Sequence, residues 1–328
     1  MTAEVLWISA KEIDSLGITM LEIMDAVEAG FATLGRGEGE MPAKIGVHPR
    51  EDCFIHAMPC YLGGEVDRAG VKCVSGYPPN PAKGHPYITG IMLLSDADTG
   101  LPVAVMDAGW VTAWRTGAAS GVYARHFGNP NTESVAIIGT GVQGRVNLMA
   151  MKEAFPKLNK VYLYDIYEAS MSKFIRDMQP ILPEAKFVTF TDQLAAVADA
   201  DVLITCTPIV EEPKRSIPYA SLKPECLVIS VDYDSAIRED VFHDANFTCD
   251  NFNQYTWTQK QGIYFQNGYP RPEDINADMC QICAGKKQGV RQGKRGAVLM
   301  GVASHDIMTA DLVYKRAMAA KIGTKVEL

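Results

Sequence analysis

The sequence predicts an α/β protein, in which a doubly wound parallel sheet of the Rossmann type accompanies a second, α+β domain. Three observations predict this class. The chain has 328 residues, which is more than one core usually encloses. Short apolar runs alternate with helical patterns between residues 134 and 231, as in parallel sheets. A glycine-rich turn at residues 139–144 joins the first of these runs to a helix.

The first 130 residues show a different pattern of predicted secondary structure. Residues 1–40 are expected to be helical, because apolar residues recur at helical spacing over residues 18–34 until Gly37. Short strands then alternate with Pro/Gly turns and predict a mostly antiparallel or mixed sheet. A helix rich in small residues and a polar loop close this part of the chain. The predicted strands are 53–58, 70–74, 89–94 and 102–106, the helix is 111–127 and the loop is 128–131.

Beyond that loop, strands and helices alternate, which is typical of βαβ units with right-handed crossovers. A final helix over residues 303–320 follows a glycine-containing segment, and it could return to the first domain. The predicted strands are 135–138, 161–164, 187–190, 202–205 and 227–231, and the predicted helices follow Gly144 and cover 168–178 and 193–197.

Composition and charge exclude several classes of protein. The chain is 47% hydrophobic and 21% charged, as in globular proteins, and its net charge of −8 gives no support for nucleic-acid binding. No run of 18 apolar residues and no signal peptide is present, so we expect no membrane span and a cytoplasmic location. Only Cys280 and Cys283 among the eight cysteines have CxxC spacing, which predicts reduced thiols and no metal site.

The turn at 139–144 has the glycines that a dinucleotide requires. Gly139 permits the tight turn, Gly141 lets the backbone approach a diphosphate, and Gly144 lets helix and strand pack closely. The diphosphate would bind the N–H groups of the helix N-terminus, next to Val142 and Gln143. The motif therefore predicts a cofactor site.

Asp165 ends the second strand of this domain, about 20 residues after the glycines, where such folds place the acid that accepts the ribose hydroxyls. A carboxylate there repels a 2′-phosphate, so the predicted cofactor is NAD(H). The alternative is a tight turn followed by an ordinary surface aspartate.

The sequence resembles the ornithine cyclodeaminase/μ-crystallin family over nearly its whole length. The resemblance implies a substrate-binding and dimerisation domain, residues 1–122 plus 302–328, into which an NAD-binding Rossmann domain, residues 123–301, is inserted. It also implies a homodimer and hydride exchange between a nicotinamide and the α-carbon of a small amino or imino acid. The resemblance is carried by Val71-Lys72, residues 78–84, residues 95–102, Arg115 to Ser120, the glycine motif, and Gly301 to Ala303 with Asp306.

Two cations are candidates for binding the substrate carboxylate. Arg115 has a planar fork that binds a carboxylate bidentately and lies in a helix of small residues; the alternative is an internal salt bridge. The resemblance implies the same role for Lys72, which could instead be a lysine that protects an edge strand. Lys44 stands where many relatives have arginine.

Asp234 is the candidate proton relay. It follows a buried strand at the carboxyl edge of the parallel sheet, and it matches the acid/base aspartate that the resemblance implies. The usual Pro-Gly-Lys after that acid is replaced here by residues 236–238, with one residue fewer, so Asp232 remains an alternative. A helix cap is the structural alternative for both.

Two threonine-containing segments complete the predicted cofactor site. The resemblance places Thr205 and Thr207 beside the nicotinamide ribose, and Thr116 and Gly117 beside the diphosphate from the other domain. Ordinary turn and helix packing would account for the same residues.

The predicted activity is the NADH-dependent reduction of a small imino acid to an L-amino acid. In the ornithine-using members of the family that the sequence resembles, an acid stands two positions before the Met-Pro pair and meets the distal ammonium. Here that position is His56, before Met58-Pro59, and its imidazole can donate a hydrogen bond to a second carboxylate. The resemblance therefore favours iminosuccinate, which yields L-aspartate. A satisfied strand histidine is the alternative for His56, and His85 and Arg50 are further candidates. The alternative functions are alanine dehydrogenase, an ornithine cyclodeaminase-type cyclase, and a non-catalytic, crystallin-like binding protein.

Overall fold

The structure is a computed structural model that describes residues 4–328. Contacts divide the chain into two compact units. Unit 1 contains the residues up to Arg115, Cys283–Lys286 and the residues from Val302 onward, and unit 2 contains Thr116–Ile282 and Lys287–Gly301. The first division falls inside a helix, seven residues before the division at 122 and 123 that the sequence predicts.

The elements that begin in unit 1 are short strands with three helices between or after them. They are β1 (Glu4–Ile8), α1 (Ala10–Ser15), α2 (Met20–Arg36), β2 (Gly39–Glu40), β3 (Ile45–Val47), β4 (Phe54–Leu62), β5 (Arg68–Gly76), β6 (Ile88–Asp96), β7 (Pro102–Asp107) and α3 (Ala108–Phe127).

In unit 2, parallel strands alternate with helices. These elements are β8 (Ser134–Ile138), α4 (Val142–Ala154), β9 (Lys160–Tyr164), α5 (Glu168–Met178), β10 (Lys186–Thr189), α6 (Gln193–Val197), β11 (Val202–Thr205), β12 (Leu227–Ser230), β13 (Asn246–Cys249), α7 (Phe252–Lys260), α8 (Met279–Cys283) and β14 (Arg295–Val298). The chain then returns to unit 1 through α9 (Ala303–Ala320) and β15 (Thr324–Glu327).

The sheet of unit 1 is mixed, with the order β15-β1-β7-β6-β5-β4-β2 and with β3 also paired to β4. β1 is parallel to β7 and antiparallel to β15, and the other neighbours are antiparallel. The expectation that residues 1–40 are helical is wrong at its start. Glu4–Ile8 forms a strand, because its partners are distant in sequence and only the folded chain supplies them.

Helices α2 and α9 cover one face of this sheet. α2 begins with a capping box, in which the Thr19 side chain accepts from Glu22 N–H and the Glu22 carboxylate accepts from Thr19 N–H, and it ends at Gly37 with φ of 82°. α9 packs on α2 and on β4, β5 and β6. Buried side chains alternate with more exposed ones in parts of β4, β5, β6 and β7, which places the core between sheet and helices.

The sheet of unit 2 is parallel throughout, with the order β10-β9-β8-β11-β12-β14-β13. The strand order reverses between β8 and β11, which is the switch point where doubly wound sheets bind ligands. α4 begins at Val142, inside the glycine motif, because the turn needs only Gly139 to Gly141. Among residues 4–328, no helix is long and apolar enough to cross a membrane.

Candidate active site

A buried ion cluster lies under the helices of unit 1. Lys72 Nζ on β5 is 2.7 Å from Asp306 Oδ1 on α9, and Arg115 Nε on α3 is 3.0 Å from the same oxygen. The side chains of Lys72 and Asp306 are fully buried, and that of Arg115 is 6% exposed. The fold thus brings together two cations and one carboxylate that the sequence separates widely.

The geometry bears on the structural alternatives for these cations. β5 lies inside the sheet between β4 and β6, so the edge-strand interpretation of Lys72 is wrong. Arg115 does form an internal salt bridge, yet its Nη1 has no hydrogen-bond partner within residues 4–328. Two cations and one carboxylate leave an excess positive charge, which together with this free donor suits a second carboxylate.

Burial sets the electrostatics of the cluster. Lys72 lies opposite Met58 on β4 and Met92 on β6, so its stem packs in an apolar row. This burial and the Arg115 charge lower the pKa of Lys72 to about 7, while Asp306 acts in the opposite direction. Burial, assisted by the charges of Arg115 and Lys72, also lowers the pKa of His305, which keeps its imidazole neutral.

His56 lies on β4 and stacks on Phe54, with ring centroids 4.2 Å apart. Burial and the charges of Lys44, His48 and Lys72 lower its pKa to about 3. The imidazole is therefore neutral near pH 7 and can donate one hydrogen bond but carries no charge.

The other charged candidates differ in how they relate to His56. Lys44 precedes β3 and is half-buried, and its charge acts on both His56 and Lys72. His85 and Arg50 are exposed loop residues, and the Arg50 guanidinium donates to the Pro49 carbonyl.

The glycine turn of unit 2 has the shape of a diphosphate cradle. Gly139 has φ of 95°, and a Cβ there would lie 2.6 Å from the Cys206 carbonyl oxygen. A Cβ at Gly144 would lie 2.5 Å from the Gly139 carbonyl oxygen, which explains the close packing of helix and strand. Gly141 caps α4 without a side-chain bond, and a Cβ there would meet nothing within 4 Å.

The atoms around this turn fit a bound dinucleotide. Val142 is 63% exposed at the start of α4, where the first N–H groups of a helix have no partner within the helix and can bind an anion. The buried Gln143 Oε1 and Asn147 Oδ1 have no partner within residues 4–328. Unused polar atoms and open space beside a helix N-terminus are what a dinucleotide would occupy.

Asp165 follows β9 at the same edge of the sheet. Its Oδ2 accepts hydrogen bonds from the Thr140 N–H at 2.8 Å and the Thr140 hydroxyl at 2.9 Å, and its Oδ1 accepts from the Tyr167 N–H. These bonds tie the carboxylate to the glycine turn, so it is more than an ordinary surface aspartate. Its remaining lone pairs can accept ribose hydroxyls.

Asp232 forms hydrogen bonds with the end of β11 and with the loop that follows it. It accepts hydrogen bonds from the hydroxyls of Thr205 and Thr207, at 2.6 and 2.5 Å, and from the Thr207 N–H at 3.0 Å. Burial raises the pKa of Asp232, and these hydrogen bonds oppose that effect. Both oxygens are engaged, so Asp232 holds Thr205 and Thr207 in place.

Asp234 has a different environment. Its Oδ2 accepts from Arg215 Nη2 at 2.6 Å and from the Phe265 N–H at 3.1 Å, while its buried Oδ1 has no partner within residues 4–328. The helix-cap interpretation is wrong, because only a short 3₁₀ turn follows, at Glu239–Val241. One oxygen of Asp234 is fixed by these two donors, and the other makes no hydrogen bond within the described part of the chain.

Thr116 is the first residue of unit 2 and is buried in α3. A Cβ at the next residue, Gly117, would lie 2.5 Å from the Val146 carbonyl oxygen of α4. This glycine therefore allows α3 and α4 to pack closely within unit 2, as the packing interpretation predicts.

The sequence missed two of these residues. Arg215 lies in the loop after β11, and the only available signal was a cation near the carboxyl edge of the parallel sheet. In the sequence, Asp306 stands out only as part of the motif with Gly301 to Ala303 that carries the family resemblance. Its pairing with Lys72 spans 234 positions, which no local pattern reveals.

A parallel sheet with a glycine turn at its switch point, and an acid after the next strand that bonds to that turn, is typical of a dinucleotide-binding protein. The chain belongs to the ornithine cyclodeaminase/mu-crystallin family, whose model matches residues 5–321. The family expected from the sequence is thereby confirmed.

Relatives with known activities support this class. The alanine dehydrogenase of Archaeoglobus fulgidus is 30% identical over 99% of this chain and 98% of its own. The structure of Thermococcus litoralis Δ1-pyrroline-2-carboxylate reductase, in complex with NADH and L-proline, has a TM-score of 0.87 at 28% identity and covers 98% of this chain and 100% of its own. An archaeal alanine dehydrogenase dimer with bound NAD has a TM-score of 0.85 at 27% identity, with 99% of both chains covered.

The protein is therefore an NAD-dependent oxidoreductase that acts on amino or imino groups, as the sequence predicted. The relatives differ in substrate, and their identity to this chain is low. They establish the chemistry and the cofactor, NAD(H), and leave the substrate side chain to be argued from this chain's own residues.

Proposed function

We propose that this protein reduces a small imino acid to an L-amino acid with NADH, and that its preferred substrate is iminosuccinate, which yields L-aspartate. The observation that carries the proposal is the concentration of positive charge on the covered side of unit 1. Arg115 and Lys72 share the single carboxylate of Asp306, so one positive charge is in excess, and the charge of Lys44 acts on the same region.

The α-carboxylate would bind to Arg115 with Lys72 beside it. Arg115 Nη1 donates to nothing in the described part of the chain, and Lys72 Nζ has two donors beyond the one directed to Asp306. Binding the carboxylate at two cations fixes the orientation of the imine carbon, and orientation accounts for much of the acceleration in such a reaction.

The second carboxylate of iminosuccinate would lie near His56 and Lys44. The positive charges that lower the pKa of His56 are the same charges that attract an anion. Residues 56 and 57 are His and Ala, so no acid there would pair with the distal ammonium of a diamine. A buried ammonium without a partner is costly, which disfavours ornithine.

Proton handling is assigned to Asp234, with Asp232 as the alternative. Bound NADH supplies the hydride that reaches the imine carbon. Asp234 Oδ1 can hold the proton that keeps the nitrogen charged, and Arg215 fixes the other oxygen. Thr205 and Thr207, held by Asp232, would position the nicotinamide ribose.

We also propose that the protein is a homodimer joined through the open face of the unit 1 sheet. Trp7, Ile91 and Tyr61 on this sheet are 46%, 47% and 39% exposed. Exposed apolar side chains on a sheet are typical of an interface. One relative, the archaeal alanine dehydrogenase, is described as a dimer. A cytoplasmic location remains a prediction.

The alanine dehydrogenase activity of the Archaeoglobus relative makes iminopropionate the second candidate substrate. We would measure kcat/KM by NADH oxidation with oxaloacetate plus ammonia and with pyruvate plus ammonia. Wild type should favour oxaloacetate, and His56→Ala should reduce that preference. The matched control is His243→Ala, because His243 is an exposed histidine of unit 2.

Two results would contradict the assignment of iminosuccinate: a wild-type preference for pyruvate, or an unchanged ratio in His56→Ala. Release of ammonia from ornithine without net production of NADH would instead indicate a cyclodeaminase. Nucleotide binding without turnover of any of these substrates would indicate a crystallin-like binding protein.

A further inference from the structure

Asp306 is the shared counter-ion of two cations. Lys72 Nζ and Arg115 Nε both donate to Oδ1 of this carboxylate, at 2.7 and 3.0 Å. Its second oxygen, Oδ2, is buried and has no hydrogen-bond partner within residues 4–328. Because both cations bond to one oxygen, the positions of their nitrogens are set by a single side chain of α9.

Without that carboxylate, an ammonium and a guanidinium would lie next to each other in a buried site. Like charges at such separations repel strongly where water is excluded. The cations would separate, or Lys72 would lose its proton. Either outcome would remove one of the two charged donors that a substrate carboxylate needs.

We propose that Asp306 is a positioning residue, which holds the Lys72 ammonium and the Arg115 guanidinium together as one receptor for the substrate's α-carboxylate and keeps Lys72 charged. This inference rests on the proposed function, since it assigns the carboxylate to that cluster. The proposed role depends on the negative charge of Asp306. Measurements across pH can therefore distinguish it from a purely structural role.

The other titratable groups that face this cluster do not replace Asp306. Arg115 on α3 and Lys44 before β3 are cations, and both oppose the charge on Lys72. His56 on β4 and His305 on α9 are neutral near pH 7. Burial and the charge of Asp306 raise the pKa of Cys60 on β4 to about 12, so its thiol is also neutral. Among these groups, Asp306 alone carries negative charge.

The sign of the expected pH dependence follows from this arrangement. Lys72 is charged below its pKa of about 7 and loses its proton as the pH rises through that value. Asp306 raises this pKa. Removing the carboxylate should therefore move the loss of the Lys72 charge, and with it the loss of carboxylate binding, to lower pH.

The test compares Asp306→Asn with wild type and with Asp311→Asn. Asp311 is a matched control, since it is also a buried carboxylate of α9 and it pairs with two cations, Arg68 and Lys315. Binding of pyruvate, as a carboxylate probe, to the NAD+-loaded protein is measured by calorimetry across pH. The kcat/KM for the imino acid is measured over the same range.

In Asp306→Asn, both pH profiles should move by about one pH unit or more to lower pH, and pyruvate affinity at pH 7 should fall about 10-fold. The Kd of NADH should not change. Asp311→Asn should retain the wild-type profiles. Coincident profiles for all three proteins would overturn the inference.

If Asp306→Asn does not fold, Lys72→Met/Asp306→Asn takes its place, because this double substitution leaves no unpaired Lys72 charge in the core. It should bind pyruvate weakly and without the wild-type pH dependence, and binding as tight as in wild type would overturn the inference. A failure of the proposed function would give a different result. Wild type would then bind pyruvate with the expected pH dependence, but no imino acid would support the oxidation of NADH.

Discussion

Arg215 Nη2 lies 2.6 Å from Asp234 Oδ2, and this contact joins the loop after β11 to the loop after β12. The backbone around it is unusual, because Arg215, Tyr233 and Phe265 all have positive φ, of 45°, 60° and 60°. Non-glycine residues in this region are strained, and such strain is concentrated at functional sites. The arrangement orients Asp234 and leaves its Oδ1 without a hydrogen bond to any of residues 4–328.

The first prediction concerns Arg215. Arg215→Met should lower kcat about 10-fold while leaving the KM for NADH near its wild-type value, because Asp234 loses its orientation but remains present. Arg238→Met is the control, since Arg238 pairs with Asp240 at the surface. Steady-state kinetics measure the effect. An equal decrease of kcat in both variants would contradict the proposal that Arg215 orients Asp234.

The second prediction separates Asp234 from Asp232. Asp234→Asn should lower kcat by about 10²-fold or more without weakening the binding of NADH, because the substitution removes the proposed proton relay. Asp232→Asn should chiefly raise the Kd of NADH, since the amide keeps only one of the two acceptor oxygens that bind the hydroxyls of Thr205 and Thr207. Fluorescence titration with NADH and single-turnover rates distinguish the two. The reverse pattern would assign the relay to Asp232.

The third prediction concerns the choice of cofactor. NADH should be preferred over NADPH, because the Asp165 carboxylate repels a 2′-phosphate and Ile166 offers no cation to neutralise it. Asp165→Ser combined with Ile166→Arg should reverse the order of the two kcat/KM values. The KM for the imino acid serves as the internal control. Comparable wild-type values for the two cofactors would contradict the role of Asp165.

The fourth prediction concerns Arg115. Arg115→Ala should lower kcat/KM roughly 10²-fold or more, because the substrate carboxylate loses its bidentate partner, while NADH binding persists. Arg68→Ala is the control, since Arg68 also pairs with an α9 carboxylate, Asp311. Near-normal turnover by a folded Arg115→Ala variant would place the carboxylate elsewhere.

Local patterns were sufficient to predict most of unit 2 and part of its candidate site. The buried strand before Gly139, the helix after it, and Asp165 at the end of the next strand follow one another at short range. The periodicity of α9 likewise gave its limits, residues 303–320. In each case the signal and the structure it predicts occupy the same stretch of chain.

The sequence alone therefore determined the family, the dinucleotide turn and the identity of the candidate cations. Only the tertiary structure decided that Glu4–Ile8 is a strand, because its partners β7 and β15 lie far along the chain. The same holds for the site: Lys72 and Arg115 become a pair because Asp306, brought to them by α9, bonds to both. Burial and shared counter-charge arise only when distant segments meet, and local periodicity contains no information about them.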